Sequence, residues 1–206
     1  CNTVSAHALG GLAEGSTTPV MGVIRPGARA ALATSEGGAV AVLGTPATVR
    51  SDAYLHAIHE VDPDRTVHQL ACPLFVPLVE EGWLDHPVTT LVAREYLAPL
   101  AGTAVDTLIL GCTHYPLLRP VIGAVAAEVL GRPVHLVDSA EALAAEAAAL
   151  LDRAGLRTPL AGPGAHRFYV TDSPSTSQGV AARFWGGAVD RDAPLLLEHV
   201  DVVTRT

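Results

Sequence analysis

One apolar run that ends abruptly in reactive side chains limits the folds open to this chain. Residues 108–110 (Leu-Ile-Leu) are followed at once by Gly111, Cys112, Thr113 and His114, and an apolar segment suited to a helix comes next. Buried parallel strands deliver polar side chains in this way, at the C-terminal edge of a sheet where open α/β folds place their sites. A thiol beside a base or a helix start can become a reactive thiolate. The run therefore predicts a parallel α/β fold with Cys112 in its site.

The rest of the chain alternates strand and helix patterns, which is typical of parallel α/β architecture. Thr45 and Pro46 are the clearest helix start, as N-cap and first helical residue. That helix is predicted to run to His59, with four residues toward the core: Val49, Ala53, Leu55 and Ile58. Strands are predicted over residues 20–24, 39–43, 67–71, 107–110, 134–137, 167–171 and 195–200. Helices are predicted over residues 4–9, 28–34, 46–59, 75–81, 88–100, 120–130, 140–154 and 176–185, and a loop over residues 158–165.

Composition excludes several classes of function. The net charge of −8 disfavours a nucleic-acid partner, and no apolar run approaches the roughly 20 residues of a membrane helix. All 13 basic residues are arginine, so no lysine can hold pyridoxal phosphate as a Schiff base. Three cysteines without paired spacing do not form a disulfide framework, which favours a reducing cytoplasm.

Four motifs carry a family resemblance. They are Cys1-Asn2-Thr3, Thr45-x-x-Thr48-Val49, Cys72-Pro73-Leu74-Phe75-Val76-Pro77-Leu78-Val79-Glu80 and Leu110-Gly111-Cys112-Thr113-His114-Tyr115-Pro116. In this order they resemble the glutamate racemases, a family of the cofactor-independent aspartate/glutamate racemase superfamily. The resemblance implies two α/β lobes, each with a mainly parallel sheet flanked by helices, and an active site in the interlobe cleft. We expect residues 1–24 and 136–206 in lobe one, and residues 25–135 in lobe two, with Arg25-Pro26-Gly27 as the first crossing.

Racemisation removes the α-proton from one face of an amino acid and returns a proton to the other, so two acid–base groups should flank the substrate. By resemblance these groups are Cys1 and Cys112, and no cofactor or metal takes part. The resemblance also implies that His114 tunes Cys112 and that Glu80 is a carboxylate near this second cysteine. The adjacent Glu81 leaves that register open.

The substrate-binding residues implied by the resemblance are Asn2, Thr3, Thr48 and Thr113, which would hold the α-carboxylate and ammonium of the substrate. The expected function is interconversion of L- and D-glutamate, which supplies D-glutamate for peptidoglycan in the cytoplasm. The partner is then a small molecule, and the sequence leaves a homodimer open.

Two departures from the family accompany the resemblance. An Asp-Ser-Gly turn and a Pro-Tyr-Gly turn normally precede the first cysteine. Residues 1–206 contain neither turn, since Asp138-Ser139 follows a later strand. We therefore expect an N-terminally truncated chain that is inactive by itself.

Other functions remain open at this point. An aspartate racemase or other isomerase of the superfamily is the nearest, and comparing turnover of the two amino acids decides it. A cysteine hydrolase or thiol transferase using Cys112 and His114 would form an acyl intermediate, and a third alternative is a non-catalytic binding protein. Cys72, next to Pro73, is expected in the core. A zinc site is disfavoured because short paired ligand spacing is missing.

Overall fold

The computed structural model describes residues 1–159, 166–185 and 197–201, which fall into two compact units, residues 1–157 and 158–206. The elements of the first unit are α1 (Asn2–His7), α2 (Leu9–Glu14), α3 (Ile24–Thr34), β1 (Ala39–Gly44), α4 (Pro46–Arg50), α5 (Ala53–His59), β2 (Val67–Ala71), α6 (Phe75–Glu80), α7 (Pro87–Leu97), β3 (Val105–Gly111), α8 (Arg119–Leu130), β4 (His135–Asp138) and α9 (Ser139–Ala154). Short 3-10 helices, Ala98–Leu100 and Tyr115–Leu118, precede β3 and α8 respectively.

The four strands of this unit form one parallel sheet in the order β2-β1-β3-β4. Their register places Gly44, the last residue of β1, opposite Gly111, the last residue of β3. The predicted α/β class with parallel strands and flanking helices is therefore confirmed. The lobe boundaries stay a prediction.

Alternate residues of the strands pack on opposite faces of the sheet, as the pleat requires. On β1, Ala41 and Leu43 point into a core formed with α6, α7 and α8, whereas Val40 and Val42 point into a second core with α3 and α5. All four of these residues have no exposed surface. A strand that is apolar at every position, as predicted for residues 39–43, is explained by burial on both faces.

The strand predicted over residues 20–24 is wrong, and the helix predicted over residues 28–34 begins earlier, at Ile24. Residues 20–22 have no regular structure, and Ile24 begins α3. Pro26 lies in the first turn of this helix, where the missing N–H costs no hydrogen bond. Near the start of the chain, the single helix predicted over residues 4–9 is two short helices, α1 and α2, and Gly10 and Gly11 lie inside α2.

The single helix predicted from Pro46 to His59 is two helices. Asp52 between them has a left-handed backbone, with φ 52°. Ser51 supports the break, since its hydroxyl donates to the Thr48 carbonyl at 2.6 Å and accepts from the Ala53 amide at 3.2 Å. The Thr45 N-cap is confirmed, because its side chain accepts a hydrogen bond from the Thr48 amide.

This break also changes which residues of α5 face the core. The buried residues are Tyr54, Ala57 and Ile58, at the i, i+3, i+4 spacing of one helix face. Of the four residues predicted to point inward, only Ile58 is fully buried.

The second unit contains β5 (Phe168–Val170), α10 (Pro174–Trp185) and β6 (Leu197–His199). The two strands pair in parallel, and the Phe168 and Trp185 rings meet edge to face with centroids 4.5 Å apart. The predicted strands and helix of this region are confirmed, while most of the predicted loop at 158–165 lies outside the described residues. Across the described ranges, every helix is too short or too polar to cross a bilayer.

Candidate active site

Two groups of the predicted site residues follow the two central strands of the first sheet. In the order β2-β1-β3-β4, the chain moves outward from β1 to β2 and then returns to β3 on the other side of β1. Ligands of open α/β sheets bind at such a point, beyond the carboxyl ends of the strands. Thr45 comes directly after β1 and Cys112 directly after β3, so both lie at this point.

Three threonine hydroxyls meet at the end of β1. The oxygen of Thr3, from α1, lies 3.0 Å from that of Thr45 and 3.1 Å from that of Thr48. Thr45 and Thr48 are 3.1 Å apart, and Thr48 is buried. The first motif and the threonine motif, more than 40 residues apart in sequence, therefore form one polar cluster. His7 further ties α1 to α4, since its Nε2 lies 3.1 Å from the Ala47 carbonyl oxygen.

A second cluster follows β3. The Cys112 sulfur lies 3.9 Å from His114 Nδ1, and the Thr113 hydroxyl lies 3.5 Å from the same nitrogen. On the other side of the ring, His114 Nε2 is 3.3 Å from Glu80 Oε1. The contact with Glu80 favours a proton on Nε2, which leaves the Nδ1 lone pair toward the thiol. Of the two adjacent glutamates, Glu80 is the one that contacts His114.

Cys112 is only 7% exposed, and burial raises the pKa of its thiol above the ordinary 9.0. Hydrogen bonds from the backbone of His114 and from the side chain and backbone of Thr113 oppose this rise. The two cysteine motifs lie in one region of the first unit, because the Asn2 side chain donates to Ser139, whose hydroxyl in turn donates to the Leu110 carbonyl. Cys1 is exposed as the N-cap of α1.

Asn2 connects this region to two residues that the sequence analysis missed. Its side-chain nitrogen donates to the Tyr54 hydroxyl at 2.8 Å and to the Ser139 hydroxyl at 3.1 Å. Ser139 follows β4 directly, as the strand pattern predicted, but it was not assigned to the site. Tyr54 carried no such signal, because the break at Asp52 was not predicted.

Cys72 is fully buried in the core beside α6 and α7, which confirms its predicted structural place. Burial raises the pKa of its thiol to about 12. Among the residues that the structure describes, no group of three or more His, Cys, Asp or Glu side chains could hold a metal ion.

Comparison with known proteins agrees with the resemblance drawn from the motifs. Residues 1–147 match the family model described as Asp/Glu/Hydantoin racemase. Glutamate racemases of Geobacter metallireducens and Syntrophus aciditrophicus are 50% and 49% identical to this chain over 91% and 90% of its length. The chain spans 68% and 67% of those two relatives. The chain belongs to the glutamate racemases.

Solved structures of glutamate racemases have the same fold. The Bacillus anthracis enzyme superimposes with a TM-score of 0.87 at 38% identity, covering 98% of this chain and 72% of that one. The Francisella tularensis enzyme, solved with D-glutamate, gives a TM-score of 0.83 at 33% identity, covering 98% of this chain and 71% of that one. The family predicted from the four motifs is thereby confirmed.

Proposed function

We propose that the protein interconverts L- and D-glutamate with Cys1 and Cys112 as its two acid–base groups. The observation that carries this proposal is the convergence of the two cysteine motifs at the end of β1 and β3. Family membership supports the reaction, and the geometry supports the assignment of residues.

The proton transfers balance between the two thiols. One cysteine, as thiolate, takes the α-proton from one face of glutamate, and the other, as thiol, gives its proton to the opposite face of the carbanion. After one turnover the two cysteines have exchanged protonation states, which prepares the protein for the reverse direction. The reaction needs no oxidant, reductant or added group.

His114 and Glu80 serve Cys112 in this scheme. With its Nε2 proton directed at Glu80, the imidazole presents Nδ1 to the sulfur at 3.9 Å and can take up the thiol proton. The raised pKa of the buried thiol makes its thiolate a stronger base toward a weakly acidic α-proton. The imidazolium keeps this proton during turnover, and the proton that Cys112 gives as the acid is the one that it took from the substrate.

The hydroxyl and amide groups near the cysteines are assigned to substrate binding. Thr3 and Thr48 present hydroxyls at the end of β1, and Thr113, which is exposed, presents one at the end of β3. Donors held in fixed positions stabilise the negative charge that develops on the substrate as its α-proton leaves. The Asn2 side-chain nitrogen already donates to two hydroxyls of the protein. Asn2 is therefore assigned to substrate binding indirectly, because its side chain fixes the position of the backbone there.

We assign the reaction to the cytoplasm, where its product D-glutamate would enter peptidoglycan. The free thiols Cys1 and Cys112 fit a reducing compartment. The proposal applies equally to a monomer and to the homodimer that the sequence left open. Light scattering of the intact protein distinguishes these two oligomeric states.

The deciding experiment incubates the intact protein with L-glutamate in D₂O, without added cofactor or metal. Circular dichroism follows loss of optical activity, and ¹H NMR follows the α-proton of each enantiomer. With two thiols, early turnovers place deuterium in D-glutamate while the remaining L-glutamate keeps its α-proton. Cys112→Ala and Cys1→Ala abolish racemisation, whereas Cys72→Ala retains it.

Two results would overturn the proposal. Equal early deuteration of substrate and product would indicate a single base, and an unexchanged α-proton in the intact protein would exclude glutamate as substrate. Faster racemisation of aspartate than of glutamate would favour the neighbouring family of the superfamily.

A further inference from the structure

We propose that Tyr54, supported by Ser139, is a positioning residue that holds the Cys1-Asn2-Thr3 segment in register with the Cys112 loop. The inference rests on the proposed function, because it assigns the residue a role in bringing the two thiols together. Tyr54 lies on α5, outside all four motifs.

The inference starts from the hydrogen bonds of the Asn2 side-chain amide. Asn2 is 2% exposed, and its nitrogen uses both protons, one on the Tyr54 hydroxyl and one on Ser139. Ser139 donates its own proton toward the Leu110 carbonyl at 3.4 Å, so its oxygen is the acceptor for Asn2. This arrangement fixes the orientation of the amide.

Asn2 has little else to hold it. Its Oδ1 atom is buried and has no hydrogen-bond partner among the described residues. The two bonds from Nδ2 are thus the hydrogen bonds through which this side chain is anchored, and the adjacent residues on either side are Cys1 and Thr3.

The Tyr54 ring also packs against Gly111, the last residue of the strand that precedes Cys112. A Cβ at Gly111 would lie 3.2 Å from the ring, and a Cβ at Gly27 would lie 3.3 Å from it. Burial raises the pKa of Tyr54 to about 12, so the hydroxyl stays neutral around pH 7. One rigid aromatic side chain therefore contacts the residue after Cys1 and the residue before Cys112.

The test is a kinetic double-mutant cycle on the intact protein with Tyr54→Phe, Asn2→Ala and the double variant. Tyr54→Phe keeps the ring and removes the hydroxyl, and we expect kcat to fall about 10- to 100-fold with KM within about twofold, because misplaced groups slow chemistry. If Tyr54 acts through Asn2, Tyr54→Phe costs no further activity in the Asn2→Ala background.

Tyr96→Phe is the matched control, since it also removes a hydroxyl that accepts a hydrogen bond, here from the Leu74 amide at 3.1 Å. It should keep the activity of the unsubstituted protein. Ser139→Ala, predicted to lower kcat in the same way, provides a second test if Tyr54→Phe does not fold.

Unchanged kcat in folded Tyr54→Phe, or losses that multiply fully in the double variant, would overturn the inference. Such results, with normal α-deuteration by the unsubstituted protein, leave the proposed racemisation intact. Absence of α-deuteration in the unsubstituted protein would instead reject the racemisation itself.

Discussion

Gly111 stands so close to Leu43 on the neighbouring strand that it has no room for a side chain. A Cβ at Gly111 would lie 2.6 Å from the Leu43 carbonyl oxygen. That oxygen belongs to the backbone of a central strand and cannot move aside cheaply. The glycine before Cys112 is therefore required by the packing of β1 against β3, and the same packing fixes where the thiol emerges.

We predict that Gly111→Ala destabilises the protein by about 1–3 kcal/mol, the usual cost of overpacking a core, and displaces Cys112 enough to lower kcat. Gly10→Ala is the matched control. Gly10 lies in α2 with nothing within 4 Å of an added Cβ, so this change should stabilise by about 0.5–1 kcal/mol. Urea unfolding and racemisation rates of both variants check the prediction, and equal effects on stability would contradict it.

A second prediction separates the two adjacent glutamates. Glu80→Gln weakens the interaction of residue 80 with His114 Nε2, so we expect kcat/KM to fall about tenfold. This loss is a part of the 10²- to 10⁴-fold that a positioned acid–base group contributes to the rate. Glu81 is exposed and borders an apolar groove with Trp83 and Val88. Glu81→Gln should therefore keep normal activity. A loss in Glu81→Gln that equals or exceeds the loss in Glu80→Gln would reject the role given to Glu80.

The sequence predicted the central part of the fold because burial and chemistry leave strong patterns there. Apolar runs such as residues 107–110 have few alternatives to a buried strand, and Thr45-Pro46 is a local helix start that does not depend on tertiary contacts. The site residues near the cysteines were predicted from motifs, in which residues that are adjacent in sequence are also close together in space. Their catalytic roles remain predictions that the proposed experiments test.

Features that depend on tertiary packing could not be predicted from the sequence. Three of the residues 20–24 are β-branched and favour a strand, yet Val23 and Ile24 are buried at the start of α3 against the sheet. Asp52 adopts its left-handed backbone while its carboxylate accepts a 2.6 Å hydrogen bond from Gln69, a partner on β2. The break at Asp52 turns Tyr54 toward Asn2. Because this break goes with a contact to Gln69, 17 residues further along the chain, the local sequence did not indicate Tyr54 as a site residue.

A third prediction concerns acid stability. Burial would raise the pKa of Asp106, but hydrogen bonds from Ser35, Thr107 and the Gly38 and Glu36 amides outweigh it and lower the pKa below 3.8. A lowered pKa stabilises the fold above the unfolded-state value and loses that effect as pH falls. Asp106→Asn should be less stable than the unsubstituted protein at pH 7, by about 1–3 kcal/mol, with the gap narrowing toward pH 3. Urea unfolding across this range checks it, and a gap that widens on acidification would contradict it.

The last prediction concerns the buried thiol of Cys72 at alkaline pH. Its pKa is about 12 in the fold and 9.0 ordinarily, so between these values the unfolded chain loses a proton that the folded protein keeps. The unfolded state then binds fewer protons, and the free energy of unfolding should fall by about 1.4 kcal/mol per pH unit from this group.

Cys72→Ala removes that dependence while costing about 1 kcal/mol of packing at pH 7. Other groups titrate equally in the two proteins, so the difference between their unfolding free energies isolates Cys72. We expect the unsubstituted protein to be more stable at pH 7, and the variant to overtake it as pH rises above 9. Parallel stability curves from pH 7 to pH 11 would show that the thiol is solvated and that the core beside α6 is less tightly closed than its burial implies.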